Sequence, residues 1–327
     1  MLGIFILRHY LCLISQNSTM MRGFLLNKKD MFSGSIVALI TPFTDSNAID
    51  YFCLAELIDW HIHSGTQAIV LAGTTGESPT LTDDEKIALA TFAVAHAQGK
   101  IQILVGNGTN DTEHSVQLTN QLNDTGIDGY LTVTPYYNKP PEAGLLAHFK
   151  AIAQASALPI LLYNVPSRTQ CDLSNELIIQ LAELNHIVGL KDATADLSRV
   201  SRLRKLCPAS FSLLSGDDAT ALAYCLAGGN GVISVTANVA PKLVAQQQQA
   251  LSVGNVAYAQ QLEITLAVLH RDLFIESNPI AVKWALYRLK KIPNTNLRLP
   301  LVPLSSSGQQ IINQTLLALA LFDQESE

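Results

Sequence analysis

The chain has 327 residues, 48% of them hydrophobic and 15% charged, with a net charge of -6; a charged fraction well under the usual ~25% implies a large core with strands buried on both faces. The negative balance and the lack of a basic run argue against nucleic acid or a membrane surface as partners. Cys12, Cys53, Cys171, Cys207 and Cys225 are odd in number and show no C-x-x-C spacing, so neither a disulfide framework nor a metal site is expected, and a reducing cytoplasm fits best.

In chain order, residues 1–30 come first. Two apolar stretches there, Met1 to Leu7 and Leu11 to Ile14, are interrupted by Arg8-His9, with no charged region ahead and no small-residue cleavage site. The segment is too short and broken to span a bilayer. It reads as a disordered extension or as sequence upstream of the working start, for which Met20, Met21 and Met31 are candidates. From Met31 the rhythm becomes regular. Apolar strand candidates lie at 35–40, 68–72, 101–105, 129–133, 159–163, 187–191, 211–215 and 231–235. Helical patterns at 3.6 spacing separate them, such as Leu54-Leu57-Ile58-His61 and Val116-Leu118-Thr119-Leu122. Thr82 and Glu85 form a capping box, and Asp111 and Ser174 mark further helix starts.

Eight alternating βα units predict a parallel sheet closed into a (β/α)8 TIM barrel over residues 31–254. A doubly wound open sheet would carry a glycine fingerprint after its first strand, where Thr41-Pro42-Phe43 stands instead. Beyond Gly254 only helical patterns remain, at 257–274, 279–291 and 308–321. Residues 255–327 are therefore a C-terminal helical region, either a cap or an oligomer contact. Gln246 to Gln249 reads as a solvated helix face.

In such barrels chemistry collects at the carboxyl ends of the strands. The second strand ends in Gly73-Thr74-Thr75-Gly76-Glu77-Ser78, which is either a turn with a helix cap or a pair of hydroxyls beside exposed amides. The fourth ends in Thr134-Pro135-Tyr136-Tyr137, and at least one of these phenols should face the barrel mouth. Tyr163 ends the fifth, with Arg168 in the next loop able to clamp a carboxylate. The sixth ends on Lys191. Alone it could be a lysine snorkelling to solvent; apolar surroundings disfavour an ammonium and favour the amine, which attacks carbonyls to form a Schiff base. An amine, phenols, a threonine and a guanidinium together make a credible Schiff-base site. His61 and His63, two apart, do not share a helix face and make a poor metal pair. Gly228-Gly229-Asn230-Gly231 precedes its strand and lies on the stability face. Asp217 and Asp218 follow the seventh strand and are read as helix caps.

At these residues the chain resembles the pyruvate-dependent Schiff-base aldolase and lyase superfamily, and within it the dihydrodipicolinate synthase family. The similarity runs from Phe32 to Leu321. It is carried by Gly34-Ser35-Ile36-Val37-Ala38, Gly73-Thr74-Thr75-Gly76-Glu77-Ser78, Thr132-Val133-Thr134-Pro135-Tyr136-Tyr137, Tyr163-Asn164-Val165-Pro166-Ser167-Arg168-Thr169, Gly189-Leu190-Lys191-Asp192 and Asn278-Pro279-Ile280-Ala281-Val282-Lys283. Asp192 stands where the family often has Glu. The resemblance implies a lyase that condenses pyruvate with L-aspartate-4-semialdehyde toward diaminopimelate and lysine, as a homotetramer of tight dimers with no metal or organic cofactor. Lys191 would form the imine. Tyr163 would pass protons through Thr75 to Tyr137 of a neighbouring subunit. Thr74 and Thr75 would hold the pyruvate carboxylate, Arg168 the semialdehyde carboxylate, and Gly216 and Ile233 would line the pocket. The resemblance also implies a regulatory pocket at Ser78, Leu81, Lys86, Asn110, His114 and Tyr136. His114 stands there in place of a carboxylate and Lys86 in place of histidine, so weak or absent inhibition by L-lysine is expected. N-acetylneuraminate lyase and 2-keto-3-deoxy sugar-acid aldolases share the lysine and are the alternatives within the superfamily. A non-catalytic barrel that binds a small acid is the alternative outside it.

Overall fold

The computed structural model describes residues 32–321; the expectation for residues 1–30 lies outside the described residues. Eight parallel strands close into a barrel in sequence order. They are β1 (Gly34–Ala38), β2 (Ala68–Leu71), β3 (Gln102–Gly106), β4 (Gly129–Val133), β5 (Ile160–Asn164), β6 (Ile187–Asp192), β7 (Ser212–Ser215) and β8 (Gly231–Ser234). The helices that follow them are α1 (Tyr51–Ser64), α2 (Asp83–Ala97), α3 (Thr112–Leu122), α4 (Glu142–Ala155), α5 (Asn175–Leu181), α6 (Leu197–Leu206), α7 (Ala221–Leu226) and α8 (Pro241–Ser252). Then come α9 (Val256–Asp272), α10 (Ile280–Arg288) and α11 (Ser306–Ala318), where helical patterns were predicted. Among the described residues no helix is long and apolar enough to cross a membrane.

Strands buried on both faces explain the low charged fraction. Ile36 and Ala38 of β1, with Ala68 and Val70 of β2, belong to the core inside the barrel, whereas Val37, Ile69 and Leu71 belong to the core under the helices. The period of two thus splits each strand between two apolar layers. The predicted caps are present: Thr82 and Glu85 bond reciprocally, Asp111 accepts from the Glu113 amide and Ser174 from the Leu177 amide. Asp217 accepts from the Thr220 amide, and Asp218 from the amides of Val235 and Thr236, so both acids are taken up by backbone.

Strand ends move by a residue or two. Pro159, which has no N–H to donate, falls outside β5, and β6 runs one residue past Lys191 to Asp192. One expectation is overturned. Gln247 and Gln248 are buried, not solvated: the Gln247 amide donates to Glu263 Oε2 at 2.7 Å, and Gln248 Oε1 accepts from the Cys225 thiol at 3.5 Å. A ninth helix covers that face of α8, and a glutamine amide can be buried once it is bonded.

His61 of α1 is fully buried and shares a 2.9 Å hydrogen bond with Thr66. Burial holds its imidazole down at about 3, against an ordinary value of 6.5. The unfolded chain therefore takes up a proton that the folded chain refuses. The contribution of His61 is fully present above pH 6.5 and is lost as the pH falls from 6.5 toward 3. Between pH 7 and pH 5 this loss is about 2 kcal/mol. His61→Gln should be less stable at pH 7 yet lose about 2 kcal/mol less over that interval in urea unfolding; parallel pH profiles would contradict the account.

Candidate active site

The register that closes the barrel sets Tyr163 directly beside Lys191 on adjacent strands. Lys191 is 4% exposed, and its Nζ lies 4.2 Å from the centroid of the Tyr163 ring. Among the described residues no carboxylate pairs with this ammonium; its nearest polarised partner is an aromatic face. On the other side the stem of Lys191 packs on Gly216, where a Cβ would stand 3.0 Å from Lys191 Cε and 2.9 Å from Ala193 Cβ. Only glycine leaves the lysine in that channel. Behind it Asp192 is buried, with its carboxyl held above the usual range by that burial, opposed by Arg199. Ile233 is buried at the interior face of β8.

The loop after β2 is fixed from several sides. Ala72 (φ 49) and Glu77 (φ 57) both occupy the left-handed region, an uncommon state for residues with a Cβ. Thr41 Oγ1 donates to the Gly76 carbonyl at 2.7 Å. Glu77 is buried in a 2.5 Å ion pair with Lys283 of α10, and its Oε2 accepts from the Arg298 amide at 3.0 Å. Burial lowers Lys283 to about 8, with Glu77 opposing the shift. Thr74 and Thr75, adjacent in sequence, separate in space. Thr74 borders the cleft with Tyr163, whereas Thr75 is buried and its Oγ1 accepts from the Asn278 amide at 2.9 Å.

That cleft, of ≈ 570 Å³, opens at the carboxyl ends of β2 to β5. Thr74, Tyr163 and Arg168 line it, and Arg168 is exposed without an ion pair among the described residues. Ser78, Leu81, Lys86, Asn110, His114 and Tyr136 line the same cleft. Tyr136 is thus the phenol at the mouth. Tyr137 is not: it is 89% exposed, at φ 75, and lines no part of the cleft of its own chain. Asp83, the acid of this region, is already engaged, with Lys86 Nζ at 3.6 Å and His114 Nε2 at 2.7 Å. A second depression of ≈ 200 Å³ lies ahead of β6 and β7, at the opposite end of the barrel, and no lysine lines it.

Residues without an expected role also serve the loop. Asn278, Glu77, Lys283 and Arg298 contact it or belong to it. The signal was a single lysine inside the apolar pattern after Asn278-Pro279, which needs a buried partner.

A parallel barrel with a buried lysine that has no carboxylate partner among the described residues, beside a phenol at its strand ends, is the arrangement that a Schiff-base enzyme of the TIM-barrel class would use. Comparison with known proteins narrows the class. The sequence profile of the Dihydrodipicolinate synthetase family matches residues 31–319. The 4-hydroxy-tetrahydrodipicolinate synthase of Laribacter hongkongensis is 47% identical over 291 residues, covering 89% of this chain and 100% of the relative. That of Idiomarina loihiensis is 48% identical, covering 88% of this chain and 96% of the relative. The crystal structure of dihydrodipicolinate synthase from Aquifex aeolicus superposes with a TM-score of 0.87 at 42% identity, over 90% of this chain and 100% of that one. The chloride-inhibited enzyme of Acinetobacter baumannii, solved with pyruvate, gives 0.86 at 43%, over 89% and 99%. A monomeric dihydrodipicolinate synthase variant gives 0.87 at 37%, over 89% and 98%. The chain belongs to the dihydrodipicolinate synthetase family, and it is a lyase.

Proposed function

We propose that the enzyme condenses pyruvate with L-aspartate-4-semialdehyde to 4-hydroxy-tetrahydrodipicolinate, with Lys191 as the reacting amine. The observation that carries this reading is a buried lysine with no carboxylate partner among the described residues, lying against the ring of Tyr163, which itself lines a cleft that the exposed Arg168 also borders. Lys191 Nζ attacks the ketone carbon of pyruvate, and water leaves as the imine forms. Loss of a proton from the methyl carbon gives an enamine, which attacks the aldehyde carbon while the aldehyde oxygen takes up a proton. The amino group of the semialdehyde then attacks the imine carbon and releases Lys191. Tyr163 is the nearest group for the proton transfers. Arg168 matches the semialdehyde carboxylate, and Gly216 and Ile233 shape the pocket floor.

The relay is reassigned in part. Thr74, not Thr75, shares the cleft with Tyr163, so Thr74 passes the proton, while Thr75, held by Asn278, binds the pyruvate carboxylate. Thr74→Val should then block turnover with imine formation intact, and Thr75→Val should weaken pyruvate binding; the reverse pattern restores the first assignment. Tyr137 points into solvent at a strained φ. Such an aromatic at a protein surface suits insertion into a neighbour, and we assign it to the active site of a second copy in a dimer of a dimer-of-dimers tetramer. The reading is tested in one assay of pyruvate-dependent consumption of aspartate semialdehyde. Lys191→Ala and Tyr137→Phe should each be inactive alone and regain part of the activity when mixed under subunit exchange. No recovery in verified hybrids would place the relay within one chain, and turnover of N-acetylneuraminate instead would replace the substrate.

The regulatory pocket is proposed to be a poor site for a diamino acid. Its Asp83 carboxylate is shared between Lys86 and His114, which leaves no free negative charge for a cationic ligand. Initial rates titrated with L-lysine should show weak inhibition or none, and half-inhibition well below about 1 mM, some 4 kcal/mol of binding, would contradict this.

A further inference from the structure

Asn278 is 6% exposed. Its Nδ2 donates to Thr75 Oγ1 at 2.9 Å, while its Oδ1 is buried without a hydrogen-bond partner among the described residues. A buried amide with one atom orphaned is a poor packing element, because an apolar residue of the same size would fill the space without desolvating a carbonyl. Its presence is accounted for by what the other atom does. A donor on one lone pair of the Thr75 oxygen fixes the rotor, so that the hydroxyl hydrogen is turned away from Asn278.

Asn278 does not stand alone. It precedes α10, whose Lys283 pairs with Glu77 at 2.5 Å, two residues beyond Thr75. The Arg298 amide closes on the same carboxylate at 3.0 Å. Lys283 Nζ also donates to the Asn296 carbonyl at 2.7 Å. Residues 278–298, which follow the whole barrel in sequence, therefore grip the Thr74-Thr75-Gly76-Glu77 loop at Thr75 and at Glu77.

We propose that Asn278 is a positioning residue for pyruvate: it orients the Thr75 hydroxyl as a donor to the substrate carboxylate, with the Lys283–Glu77 pair holding the loop in register. This rests on the reading of Thr75 and Lys191 given above. It makes the C-terminal helical region part of the substrate site rather than an appendage.

The experiment is a double-mutant cycle read on the KM for pyruvate, with Asn278→Leu, Thr75→Val and the pair. Asn278→Leu should raise the KM for pyruvate about tenfold or more, the scale of a hydrogen bond to a charged group, with a smaller change in kcat and imine trapping intact at saturating pyruvate. The double variant should be no worse than Thr75→Val alone. Asn278→Asp, which has the same shape and no donor, should raise the KM as well and covers the case in which the leucine variant fails to fold. Additive losses in the double variant, or an unchanged KM in Asn278→Asp, would overturn the proposal. The two readings fail differently: absence of any imine in the wild type sinks the role of Lys191, whereas normal imine formation with additive losses sinks that of Asn278 alone.

Discussion

Closure of the sheet on itself is the constraint from which the rest of the molecule follows. β8 returns to β1 with Gly231 opposite Gly34, and a Cβ on Gly231 would lie 2.3 Å from the Gly34 carbonyl oxygen. The seam is that tight, and it admits no side chain. Once it is made, every strand is buried on both faces and the eight carboxyl ends converge on one mouth. Tyr163 meets Lys191, 28 residues on, and shares a cleft with Thr74, 89 residues earlier, through sheet pairing rather than through any local signal. The same closure leaves the helices to form a second apolar layer outside, which explains a chain so rich in hydrophobic residues.

Two buried lysines show how the fold assigns chemistry. Lys283 sits against Phe43, with Glu77 and the Asn296 carbonyl as polar partners. Removing its proton would strand a buried carboxylate, so that the pair works as a structural rivet under the loop. Lys191 faces a ring on one side and the bare backbone of Gly216 on the other. No ion pair has to break when its nitrogen bonds to carbon. Burial is common to both; on the function proposed above, the partner decides which lysine is scaffold and which is reagent.

Much of this was legible from the residues. The eight strands, the caps at Thr82, Asp111 and Ser174, and the lysine and phenols at strand ends follow from periods of 2 and 3.6 and from cap chemistry, all local properties. What depended on distant packing was not legible. Gln247 and Gln248 read as solvated because nothing in their neighbourhood reveals that α9 will cover them with Glu263. Thr74 and Thr75 are equivalent on paper, and only the turn between β2 and α2 sends one to the cleft and the other to Asn278. Asn278 itself was part of a recognised motif with no role, since its partner lies 203 residues earlier. That Asp83 is shared by Lys86 and His114 likewise depended on packing, since His114 lies 31 residues further along the chain.

The central claim is that a fold with three buried lysines among its described residues, Lys86, Lys191 and Lys283, presents only Lys191 to a ketone. Borohydride reduction of the enzyme in the presence of labelled pyruvate, followed by peptide mapping, reads this directly. The account predicts one pyruvate-derived adduct per chain, on the peptide that carries Lys191, and none after Lys191→Ala. An adduct on Lys86 or Lys283, or undiminished labelling of the Lys191→Ala protein, would contradict it.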